Sequence, residues 1–162
     1  MKKFAIQSIL LLAIIGGGIF FFNPNGSGKK IDFPFLPSSS SLTSIQIGNV
    51  LVKAEIADTS SKRNKGLGGR DSLASDSGML FVFDKVDRHN FWMKGMKIPL
   101  DFIWILDDKV VDITENVPPQ VGQPDNALKI YSSKTETNKM LEVNAGFISV
   151  SNIKVGDTVI VN

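Results

Sequence analysis

HNFWMKGMKIPLDFIWILDD, residues 89–108, is the stretch from which the fold is read. Its second half, 99–106, is short and rich in aromatic and β-branched residues, the composition of a strand. In an extended segment Leu100, Phe102, Trp104 and Leu106 face one way, and Asp101, Ile103 and Ile105 face the other. Neither row is polar, so this strand is expected to be covered on both sides, with Asp101 at least partly buried. A buried carboxylate without donors is costly. It could pair with a cation, and Arg70 is the candidate, because GLGGR places it after glycines that let the backbone bend close. It could instead accept backbone N–H groups and so fix loops, or it could serve a ligand or a reaction.

Working outward, 91–93 is expected as a further strand, and Asp107-Asp108 turns the chain into a hairpin with 110–113. Upstream, 44–47 and 50–57 flank Gly48-Asn49, a hairpin signal. Thr59 or Ser60 can cap a short helix that Gly66 would stop. GMLFVF, 78–83, does not alternate and is expected as a strand buried on both faces. ENVPPQVGQPDNA reads as a loop, since Pro118-Pro119 cannot donate to a ladder. Strands are also expected at 128–132 and 140–143. The final NAGFISVSNIKVGDTVIVN reads as a short helix, a turn at Gly156-Asp157 and a closing strand. There is no internal repeat. The pattern predicts a mainly β domain over 45–162, a compact β-sandwich or small barrel with one or two short helices.

Ahead of it, Phe4 to Phe22 is a run of 19 residues without a charge, preceded by Lys2 and Lys3. That length spans a bilayer as a helix, and the flanking lysines would keep residues 1–3 in the cytoplasm. A cleaved signal peptide is the rival, but its apolar core is shorter and ends in small residues. Here the run ends in Phe20-Phe21-Phe22 and enters Asn23-Pro24-Asn25. The expectation is therefore an N-terminal transmembrane helix or signal segment over 1–22 and a Pro/Gly/Ser-rich linker over 23–44. The globular domain would then be extracytoplasmic, at the cell surface or in a periplasm. With no cysteine in the chain, neither a disulfide nor a lipid-modified cysteine is possible.

Charge excludes one class of partner. Of the 18 Lys and Arg, four precede residue 45, and of the 16 acids, one does; the remainder carries 14 basic against 15 acidic residues. This near-neutral domain lacks the basic footprint of nucleic-acid binding. His89 is the one histidine and sits near Asp84 and Asp87, while Met79, Met93 and Met96 could offer thioethers to copper. A hydrophilic loop and ordinary core packing account for these residues as well, and neither a metal nor a cofactor is expected. GxSxG, a nucleophilic cysteine, a Walker loop and a dinucleotide fingerprint are all missing. Catalysis would rest on carboxylates such as Asp101 with Glu142.

GLGGRDSLASDSGMLFVF, FWMKGMKIPLDFIWIL, VVDI, MLEVNAG and IKVGD follow one another in the order of a prokaryotic family, domain of unknown function 192. The chain resembles that family over about 50–161. The resemblance implies a compact, mostly β fold, often behind an N-terminal signal or anchor, and no agreed activity. Arg70, Trp92, Met93, Asp101 and Glu142 match the family pattern. Gly68 stands where Met is common, and Gly95-Met96 where Asn-Thr is usual, which weakens both the copper reading and any polar site at that turn.

The sequence thus points to a membrane-anchored extracytoplasmic binding or accessory domain, attached through residues 4–22. Its candidate ligand-binding residues are Arg70, Trp92, Met93 and Asp101. Arg70 would hold a small polar or anionic group, Trp92 would form a wall, and Asp101 would orient Arg70. Two alternatives stay open, a small carboxylate-based hydrolase acting on cell-envelope material and a structural partner of another envelope protein. A concave pocket with a strongly shifted carboxylate would favour the enzyme, and a flat exposed apolar patch the protein partner.

Overall fold

The computed structural model describes residues 11–15, 18–22 and 42–162. The chain divides into two units, Met1–Ser39 and Ser40–Asn162. In the first, β1 (Leu11–Ile15) and β2 (Gly18–Phe22) pair antiparallel, Leu11 opposite Phe22 and Ile15 opposite Gly18. The transmembrane helix expected over this stretch is not shown, and among the described residues no helix is long and apolar enough to cross a membrane. The rest of 1–22 and almost all of the expected linker lie outside the described residues.

The second unit is a mainly β domain. β3 (Leu42–Ile47) and β4 (Val50–Ala57) form the hairpin that Gly48-Asn49 signals, with Gly48 at φ +56°. α1 (Ser60–Lys65) is capped by the Thr59 hydroxyl, which accepts from the Lys62 N–H, and it ends at Gly66, φ +48°. It forms the crossover to β5 (Ser77–Asp87), which runs parallel to β4. β6 (Leu100–Leu106), β7 (Lys109–Val117) and β8 (Thr137–Asn144) follow. α2 (Phe147–Ser151) and β9 (Val159–Val161) close the domain.

The seven strands of this unit form one sheet in the order β7-β6-β8-β5-β4-β3-β9. The sheet curls into a half-barrel whose edges meet at one end. Val110 of β7 exchanges backbone hydrogen bonds with Asp157 and Gly156, and Val159 donates to Asp108. Two expected strands are not formed. Around 91–93 and 128–132 only a single bridge joins Phe91 to Tyr131. Pro99 and the turn at Gly95, φ +68°, stop the first from extending into β6, and its large side chains pack as a loop.

Alternation along the central strands separates two cores. Leu80, Ile103, Ile105, Leu141 and Val143 join Ile45, Val110, Ile148 and Val159 in the first. This core takes residues from both edges and fills the inside of the curl. Met79, Phe81, Phe102, Trp104 and Met140 face the other way and are covered by Leu67, Phe91, Met93 and Met96 from the loops. β6 is thus buried on both faces, as its composition requires.

Candidate functional site

The four candidate residues are not brought together. Arg70 donates two parallel hydrogen bonds to Glu55, at 2.6 and 2.9 Å, and this pairing raises its already high pKa. The expected Arg70–Asp101 pair is therefore not made. Asp101 is fully buried and uses backbone donors, the Asn116 N–H at 2.8 Å and the Ile148 N–H at 3.0 Å. Both donors arise from local geometry. β7 carries an extra residue opposite β6 between Val117 and Thr114, where Asn116 has φ +55°, and this bulge frees the Asn116 N–H from the ladder. Ile148 lies in the first turn of α2, whose N–H groups have no helical partner. Asp101 therefore ties a bulge on one strand to the start of a helix, the loop-fixing role. Met93 is wholly buried in the second core.

Of the four, Trp92 lines a cavity. It is 47 % exposed and stands at the mouth of a space of about 180 Å³. Leu67, Phe81, Phe91 and Met96, all buried, make the apolar floor. Exposed residues of the rim come from α1 and the loop before β6, among them Asn64, Lys65 and Lys94. Phe81 and Phe91 meet edge to face with centroids 5.0 Å apart. Phe83 on the side wall is held between the stacked His89 ring, at 3.6 Å, and the Arg63 guanidinium, 5.2 Å from its centroid. Arg63 is itself fixed by donating to the Asp58 and Val82 carbonyls.

The one acid in this lining is Glu142. It is 5 % exposed, and its buried Oε2 has no hydrogen-bond partner. Desolvation pushes its carboxyl up to about 8, so the neutral acid predominates at pH 7. Its position follows from strand register. Glu142 lies opposite Phe102 on one side and Met79 on the other, and so shares their face of the sheet. The backbone here is tightly approached. A Cβ at Gly78 would lie 2.5 Å from the Glu142 carbonyl oxygen, so only glycine fits. Asp101 lies opposite Val143, on the face that holds the first core, so Asp101 and Glu142 cannot act as a catalytic pair.

Glu142 carried the same signal in sequence as Asp101, a single acid between apolar neighbours in a strand. The difference between them lies in donors, which only the fold supplies. Among the described residues no group of three or more His, Cys, Asp or Glu could hold a metal ion. His89 stacks on Phe83 and its Nε2 lies 3.1 Å from the Lys85 carbonyl.

Residues 43–161 match domain of unknown function 192, described as Uncharacterized ACR. The chain belongs to that family. It is similar to two solved structures. One is a candidate transcription regulator from Sinorhizobium meliloti 1021, with 27 % identity and a TM-score of 0.68, over 77 % of this chain and 97 % of that one. The other is a protein of unknown function from Novosphingobium aromaticivorans DSM 12444, with 30 % identity and a TM-score of 0.68, over 77 % and 89 %. None of the curated proteins matches the chain.

Proposed function

We propose that this chain is a membrane-held, extracytoplasmic member of its family whose domain binds a small molecule in the Glu142 cavity. The observation that carries the reading is Glu142, a buried acid with its Oε2 unpartnered, in the lining of an aromatic-walled opening. A polar atom withheld from water without a partner costs about 1–3 kcal/mol, and a ligand would supply what the fold does not. Membrane attachment is supported by the charge-free run 4–22 after Lys2 and Lys3. A two-stranded hairpin leaves outer backbone groups unpaired, so within a bilayer this run would be helical. The name of the Sinorhizobium protein describes it as a candidate transcription regulator; for this domain, direct binding of nucleic acid has no support in its near-neutral charge.

A second reading, Glu142 as general acid of a hydrolase, is favoured by the raised pKa alone. The cavity lining offers neither a second carboxylate nor a histidine as its complement.

Because the chain has no cysteine, Asn64→Cys places a unique thiol on the exposed rim. A membrane-impermeant maleimide should label it in intact spheroplasts, and small molecules extracted from the cell envelope should slow the labelling. Labelling only after lysis would remove the extracytoplasmic placement. Unprotected labelling across the whole extract would remove the binding role.

A further inference from the structure

We propose that the cavity takes a single, largely apolar ring bearing one deep hydroxyl or carbonyl for Glu142 and a carboxylate or phosphate that stays at the rim among Arg63, Lys65 and Lys94. This rests on the cavity being a binding site, and adds the class of ligand.

Size sets the first term. At about 180 Å³ the space is close to the engineered cavity of roughly 150 Å³ that holds benzene, so one six-membered ring fills it. Floor chemistry sets the second. Leu67, Phe81, Phe91 and Met96 offer no strong hydrogen-bonding groups, and Glu142 is the one acidic side chain among them. A sugar would bury several hydroxyls against these side chains without partners, at a cost for each. A ring with one inward polar group leaves nothing unpaired. The neutral acid can donate to that group or accept from it.

Rim charge sets the third. Every charged side chain of the lining other than Glu142 is a cation. Lys94 is paired with Asp125 at 2.5 Å, and the Asp58 carboxylate lies near enough to Arg63 to feel its charge. Lys65 has no carboxylate partner within 4 Å among the described residues. An amine would suit aromatic walls and a buried carboxylate, but it would have to pass these cations and ionise an acid that burial keeps neutral. An anion at the rim meets charge of the opposite sign and leaves Glu142 protonated.

Four probes test this against the full-length protein in detergent micelles, followed by quenching of the half-exposed Trp92 and by calorimetry. They are 4-hydroxybenzoate, benzoate, tyramine and glucuronate. The expected order places 4-hydroxybenzoate first, about tenfold or more tighter than each of the others, the worth of one hydrogen bond to a buried group or one charge pair. Trp92→Ala should weaken it, and Lys65→Glu should erase its advantage over tyramine. Tyramine or glucuronate binding tightest would overturn the ligand class while leaving the cavity a binding site. Failure of all four probes would also overturn the class, and the rim-labelling experiment would then decide separately whether the cavity binds anything.

Discussion

Two acids sit in neighbouring strands of one sheet, both buried, and the fold treats them in opposite ways. Asp101 on β6 has a backbone N–H on each oxygen. Glu142 on β8 has an oxygen with no partner and an elevated pKa. A third buried acid, Asp112, resembles Asp101, accepting from the Ile113 and Lys134 N–H groups. The fold therefore satisfies buried acids where they hold loops, and leaves one unsatisfied where a cavity opens. Polarity in an apolar strand marks both kinds of position, and the donor inventory separates them.

The largest expected effect breaks the Asp101 side of this contrast. Asp101→Ala orphans the buried Ile148 N–H and the part-buried Asn116 N–H, at up to about 3 kcal/mol each, so urea unfolding should show a loss of up to roughly 6 kcal/mol. A loss below 1 kcal/mol would mean that water or a rearranged bulge takes over both bonds.

The next effect sharpens the Glu142 side through pH. The carboxyl rises from its ordinary 4.5 to about 8 on folding. Below 4.5 both states are protonated and nothing is lost. Between 4.5 and 8 the unfolded state gives up its proton while the native state keeps it, so stability falls as pH rises, and the fall levels off above 8. The ceiling on this loss is about 5 kcal/mol. Glu142→Gln should flatten the stability curve across that window and be relatively more stable than wild type at pH 9. Parallel curves for the two proteins would show that Glu142 is solvated or paired.

The smallest effect concerns Arg70. Its side chain is 34 % exposed and that of Glu55 21 %, so their ion pair should be worth at most about 1 kcal/mol. Arg70→Ala should cost no more than that. In a double-mutant cycle with Asp101→Ala the losses should add within about 0.5 kcal/mol, because the two share no bond. Strong coupling would restore the direct pair that the sequence suggested.

Much of the fold was legible because its signals are local. Gly48-Asn49 and Thr59 with Gly66 act through turn and cap geometry that needs no distant partner. The apolar run of β6, interrupted only by Asp101, announced a strand covered on both faces. The stretches around Phe91 and Tyr131 misled, since aromatic composition marks burial as readily as it marks a strand. The site was harder to read. Arg70 was matched to Asp101 by charge and by the glycines before it, while the partner it takes, Glu55, lies on β4, 15 residues upstream. The Asp101 donors come from a bulge and a helix start that no side chain encodes. Glu142 was visible as an odd acid, but its lack of a partner depends on how β5, β8 and the loop at 90–96 close over it.

The seam where the half-barrel edges meet has a consequence for how the domain is made. β9 lies last in the domain yet pairs with β3, its first strand, and the Asn162 N–H reaches the Ser44 carbonyl at 3.0 Å. During synthesis, strands β3 to β8 emerge before either edge can be covered. Until residues 156–161 arrive, β3 and the start of β7 are open ladders facing other nascent chains. Holding that sheet unpaired, or delaying its collapse until the last strand is delivered, is therefore a demand this topology places on whatever machinery handles the chain.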